Sequence, residues 1–199
     1  MEQSKRKAAW VVCVATMLAS CATTQLEAQW VDPQLAPGSL HGARVLFACE
    51  AAETVIQQLC QDHLAAELAA RGATGMPLPR GTEPTHEAYA QAARETGAAA
   101  ILVERVMPYS TSVSQGVSFG IGGFGYGGGG GGAGVGISAP VGGGHVSIGY
   151  AADTHLIDTA SGRLLWTAKA SSSPSGDVQT QIQELARAVF SGADKSRVF

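Results

Sequence analysis

Tyr150-Ala-Ala-Asp-Thr-His-Leu-Ile-Asp158, followed by Thr159-Ala-Ser-Gly162 and then Arg163-Leu-Leu-Trp-Thr-Ala-Lys-Ala170, is the stretch whose reading decides the fold. From Val146 the apolar residues recur at every second position. Val146, Ile148, Tyr150, Ala152, Thr154 and Leu156 share one face, while Ser147, Asp153 and His155 take the other. A period of two is that of a strand buried on one side. Asp158 to Gly162 supplies turn chemistry, and Leu164, Trp166 and Ala168 alternate on the way back. The segment from Thr154 to Ala170 is therefore expected to be an antiparallel hairpin, with Trp166 in the core.

Upstream of this hairpin the pattern changes. Ala43-Arg-Val-Leu-Phe-Ala-Cys49 is a short apolar run of the kind that makes a buried strand, and Ile56, Leu59, Cys60, Leu64 and Leu68 follow at helical spacing. Arg71-Gly72 marks the end of that helix. Pro77, Pro79, Gly81 and Pro84 read as a loop, after which Thr85 caps a second helix that carries Glu87 in its first turn and stops at Gly97. Ala99 to Val103 is a second buried strand. Downstream of the hairpin, Val178, Ile182, Leu185 and Val189 predict a last helix, opening near Ser175 or Asp177 and closing near Gly192. The expectation is an α+β fold: a mixed sheet of about four to five strands with two to three packed helices and a glycine-rich hairpin or loop insertion.

Residues 1–20 read as a signal peptide: Lys5-Arg6-Lys7, an apolar run from Ala8 to Leu18, and small residues before a cut. The run is shorter than the roughly 20 residues a spanning helix needs. Leu18-Ala19-Ser20-Cys21 resembles the lipid-attachment signature of bacterial lipoproteins. The resemblance implies that Cys21 becomes the mature N-terminus and carries diacylglycerol and an acylated amine; an ordinary cleaved signal with an incidental cysteine is the alternative. Residues 21–41 then form the lipidated N-terminus and a tether, 42–192 a single domain with its glycine-rich insertion at 116–144, and 193–199 a frayed tail.

Cleavage removes Lys5, Arg6, Lys7 and Glu2 and leaves ten basic against fifteen acidic residues, a formal charge of −5. The remaining cations are scattered and not interleaved with aromatics, which argues against nucleic acid as a partner. With Cys13 lost and Cys21 lipidated, Cys49 and Cys60 remain in an oxidising compartment as a candidate disulfide, the alternative being two small buried side chains.

Sixteen of the 26 glycines lie between Gly116 and Gly144. Glycine loses too much backbone entropy there for a helix, so the tract reads either as a hairpin with frayed arms or as a disordered linker. It also produces motif matches without context. Gly120 to Gly125 and Gly134 to Ala139 fit the dinucleotide fingerprint yet open no helix that could hold a pyrophosphate. Gly116-Val-Ser118-Phe-Gly120 spells a hydrolase elbow, which requires a strand-to-helix turn that more glycine does not supply. His41, His63, His86, His145 and His155 lack ligand spacing, so neither a metal nor a cofactor is expected, and no residue is assigned a catalytic role.

The succession from Ala98 to Ala170, "AAAILVERV", glycine tract, "YAADTHLIDTASGRLLWTAKA", resembles a family of uncharacterised outer-membrane lipoproteins with a glycine-rich insertion before a final strand hairpin. More distantly, "ARVLFA", "LAARG" and "TGAAAILV" look like the α/β domain of curli-secretion lipoproteins, penicillin-binding-protein activators and the amino-terminal domain of TolB. The resemblance implies no catalytic residue, and no constellation of nucleophile, base and oxyanion donors is left over. The expectation is a non-enzymatic scaffold or modulator on the periplasmic face of the outer membrane, held by its lipid and acting on an envelope protein partner. Ala22 after Cys21 resembles the outer-membrane sorting choice of enteric lipoproteins. The alternatives are an assembling secretion or pore subunit resembling the curli lipoprotein, and an envelope hydrolase built on Ser118.

Overall fold

The computed structural model describes residues 24–113, 117–119 and 146–199. Its elements are β1 (Gln25–Val31), β2 (Arg44–Glu50), α1 (Thr54–Ala70), β3 (Thr74–Pro77), α2 (His86–Thr96), β4 (Ala100–Val113), β5 (Val117–Phe119), β6 (Val146–Asp158), β7 (Leu164–Ser171) and α3 (Val178–Lys195). Six strands lie in the order β1-β7-β6-β4-β2-β3, and β5 pairs with the distal part of β4. β3, β2 and β4 run parallel, while β4, β6, β7 and β1 are antiparallel. The α+β class and mixed sheet follow the alternation and helical spacing read above.

The hairpin forms as its parity demands. Ala152, Thr154 and Leu156 of β6 and Trp166, Ala168 and Ala170 of β7 are buried on one face, beneath α1 and α3. α1 contributes Ile56, Cys60, Leu64 and Leu68 to that core, and α3 contributes Ile182, Leu185, Val189 and Phe190. Trp166 is 1% exposed, so its ring is core, not ligand site. α2 covers the opposite face over β2 and β4, packing Tyr89, Ala92 and Ala93 on Leu46, Ala48 and Ile101. Thr85 caps α2 by accepting from the Ala88 N–H at 3.2 Å, and Gly97 ends it at φ +66°, in the left-handed region where glycine is unstrained.

Three sequence expectations are corrected. The tether over residues 21–41 contains β1, an edge strand paired with β7. Its alternation was hidden because Leu26 and Val31 alone are half-buried on an otherwise exposed strand, and the register shifts between Leu26 and Ala28. The proline-rich loop begins with β3, in which Gly75 leaves room for Leu68 and Phe47; a Cβ there would meet their side chains at 3.1 and 3.2 Å. The tail of residues 193–199 is not frayed. α3 continues to Lys195, Val198 is fully buried, and Phe199 stacks on Phe190 with centroids 5.6 Å apart. Arg71 lies 4.8 Å above the same Phe190 ring and ties α1 to α3 through a two-point pair with Asp194, both contacts at 2.7 Å. Of the insertion at 116–144, Val117–Phe119 forms β5; the rest, with the choice between hairpin and linker, lies outside the described residues.

Candidate functional site

The parallel part of the sheet creates a concavity. β2 leads through α1 to β3 at the sheet margin, and β3 leads back through α2 to β4 on the other side of β2. With α1 and α2 on opposite faces, the connections diverge at β2 and β4 and leave a crevice at their carboxyl ends, where ligands of open α/β sheets bind. A cavity of about 1260 Å³ occupies this position. Cys49 and Glu50 of β2, Arg105 to Pro108 of β4, the amino-terminal half of α1 and the loop of residues 77–84 line it.

Its charged centre is self-contained. Arg105 donates to Glu50 Oε2 through Nη2 at 2.7 Å and Nε at 2.9 Å, and Tyr89 donates its hydroxyl to Glu50 Oε1 at 2.9 Å. Burial, reinforced by the Glu50 contact, pushes the Tyr89 phenol up to about 12. Both Glu50 oxygens accept from these donors, so the cluster braces β2, β4 and α2. A smaller cavity of about 300 Å³ lies under α2 beside the β6–β7 turn, lined by His86, Arg94, Thr159 and Ser161 among others. In that turn Asp158 accepts from the Ser161 N–H at 2.7 Å and hydroxyl at 2.6 Å, which hold its carboxyl below the usual range.

Leu18, Ala19, Ser20 and Cys21 lie outside the described residues, but β1 opens at Gln25, four positions after Cys21. Thr24 is already fixed, donating its hydroxyl to Glu184 of α3 at 2.9 Å. Cys49 and Cys60 are joined by a disulfide between β2 and α1, with Cα atoms 6.1 Å apart. The backbone of Ser118 lies within β5, paired with Ser112, and not on a strand-to-helix turn. His155 lies 3.7 Å from Asp153 on the uncovered sheet face; among the described residues no three His, Cys, Asp or Glu side chains come together as metal ligands. One buried group was missed: Glu104, fully enclosed beneath the helices. Parity had the signal, since Ala100, Leu102, Glu104 and Val106 fall on one face of β4.

No protein-family model matches the chain, nor does any curated protein. Among solved structures, a PelC dodecamer from Paraburkholderia phytofirmans aligns over 84% of this chain and 95% of its own, at 16% identity and a TM-score of 0.50. The fold resembles that of PelC. A second PelC dodecamer from the same organism, in another crystal form, covers 84% of this chain and 97% of its own at 16% identity and a TM-score of 0.48. A PDZ domain protein from Parabacteroides distasonis matches at 8% identity and a TM-score of 0.42, over 87% of this chain and 37% of its own. Among the described residues no helix is long and apolar enough to cross a membrane.

Proposed function

We propose that the chain is an envelope lipoprotein, anchored through Cys21 to the periplasmic face of the outer membrane, that works by protein contacts within an assembly and not by catalysis. The observation that carries this reading is the shortness of the link. Only Ala22, Thr23 and Thr24 separate Cys21 from β1. At no more than about 3.6 Å per residue, the first sheet residue sits within roughly 14 Å of the acylated cysteine. The lipid therefore holds a sheet edge close to the bilayer instead of letting a domain range on a leash. Ring assembly from copies of the chain is favoured by the fold shared with PelC, whose structures are dodecamers. Trp30, Met107 and Tyr109 remain exposed in the monomer for such contacts.

A second reading, an assembling secretion or pore subunit, has its own observation. Gln25 is level with Ser171, Ala151 and Met107, and from that end of the sheet β4 and β6 continue as a pair to Val113 and Val146. Between Arg105 and Asp153 the sequence holds 47 residues without Asp, Glu, Lys or Arg. The lipid-proximal end is thus also the end that carries the uncharged chain. Palmitate labelling with mass analysis of the mature N-terminus, followed by mass measurement of the detergent-extracted particle, tests both readings. A labelled ring supports the proposal, and membrane conductance by that ring selects the second reading. An unacylated N-terminus refutes the anchor, and a monomer refutes the assembly.

A further inference from the structure

Glu104 sits on β4 between two in-register neighbours, Cys49 of β2 and Thr154 of β6. Thr154 donates its hydroxyl to Glu104 Oε2 at 3.2 Å, and Glu104 Oε1 lies 3.7 Å from Cys60 Sγ on α1. The sulfur of a disulfide carries no proton, so while the bond is closed this contact is a hydrogen bond only if the carboxyl is the donor. Once reduced, Cys60 becomes a thiol that can donate instead.

Most titratable groups on the surrounding elements are engaged elsewhere. Glu50 of β2 holds Arg105 and Tyr89, and Asp153 and His155 of β6 lie on the opposite face beside each other. On α1, Asp62 accepts from Gln58 and Glu67 pairs with Arg71; on α3, Glu184 accepts from Thr24 and Asp194 pairs with Arg71. His63 Nε2 is buried without a hydrogen-bond partner among the described residues. None of these charges acts on Glu104. Burial pushes its carboxyl up to about 7, opposed only by the Thr154 hydroxyl.

We propose that the Cys49–Cys60 bond and the Glu104 carboxyl form one proton-coupled redox unit: with the disulfide closed the buried Glu104 holds its proton, and reduction, by supplying a thiol donor, releases it. A dithiol reductant supplies two electrons and two protons. The S–S bond breaks, each sulfur takes a proton, and the reductant closes to its own disulfide. The Cys60 S–H then donates to Glu104, whose proton passes to solvent. Cys49 and Cys60 are 2% and 0% exposed, so a small dithiol reaches the bond when the chain opens locally beside the crevice that Cys49 borders. Rising pH therefore favours the open form more strongly than in a chain lacking this carboxyl.

The test equilibrates the full chain and its Glu104→Gln variant with dithiothreitol buffers from about pH 5 to about pH 8, traps the thiols by alkylation and counts them. The reductant's own titration cancels in the ratio of the two reduction constants. That ratio should climb by up to about tenfold per pH unit below the carboxyl's range and level off above it. A ratio independent of pH overturns the proposal. Infrared spectroscopy of the unsubstituted chain gives a reading that does not depend on the variant folding. The protonated-carboxyl band should vanish on reduction near neutral pH, and a band that persists in the reduced chain also overturns it.

Discussion

Replacing Glu104 by Gln should make the chain more stable above neutral pH and leave it nearly unchanged in acid. Glu104 is wholly buried, with its carboxyl raised from 4.5 to about 7. In the unfolded chain the group ionises near its ordinary value, so between the two the folded state holds a proton that the unfolded state has lost. Stability then falls as pH rises through that window, by about 1.4 kcal/mol per unit, or about 3 kcal/mol in total. Glutamine keeps an oxygen for the Thr154 hydroxyl and cannot ionise. Urea unfolding of both chains, disulfide closed, from about pH 4 to about pH 9 gives the difference directly and cancels every other titrating group. The variant should gain on the parent through the window and then hold a constant lead of about 3 kcal/mol. A difference flat across pH, or one that shrinks as pH rises, refutes the claim that the carboxyl is buried neutral.

The remaining predictions concern the scaffold. Replacing Cys49 and Cys60 together by alanine frees a loop with a sequence separation of 11; the entropic cost is about 3 kcal/mol, measured as the drop in urea midpoint. Arg71→Lys keeps the charge but loses the two-point grip on Asp194 and part of the stacking on Phe190; calorimetry should show a loss of about 1 kcal/mol, modest because Asp194 is half-exposed. Trp166→Ala opens a void under both helices and should cost about 3 to 5 kcal/mol, with loss of near-ultraviolet dichroism before far-ultraviolet. Acid should loosen the β6–β7 turn, since the Asp158 carboxyl is held below its ordinary value by Ser161; its stabilisation is lost as pH falls through that lowered range, and Asp158→Asn should abolish this step in amide exchange at the turn.

Legibility followed the strength of local pattern. The β6–β7 hairpin, the helix α1 and the burial of Trp166 were written in periodicity, because each has one face wholly covered, and α2 was written in its ends, Thr85 and Gly97. β1 was unreadable for the opposite reason: an edge strand with its residues mostly exposed obeys no alternation, and its existence depends on β7, more than a hundred residues away. The end of α3 was misplaced at Gly192, which is retained inside the helix where Leu26 and Gln29 of β1 crowd it; a Cβ there would lie 2.9 and 2.7 Å from their side chains. At the crevice, Glu50 and Arg105 were individually unremarked, and only parallel pairing of β2 with β4 sets them side by side. Glu104 was the residue most open to discovery, since a charged side chain on the inward parity of a strand announces an unusual environment.

The place of β1 also constrains the order in which the molecule can be completed. A polypeptide is made from its amino terminus, yet Gln25 bonds to Ser171 and Thr24 to Glu184. The earliest segment with a place in the sheet must wait, unpaired, until nearly the whole polypeptide exists, and closing that long circuit is slow compared with local helix formation. During this interval an open strand sits next to Cys21, the residue proposed to carry the anchor. A factor that shields nascent strands, or early capture by the bilayer, would act at this point in biogenesis before any other part of the body needs help.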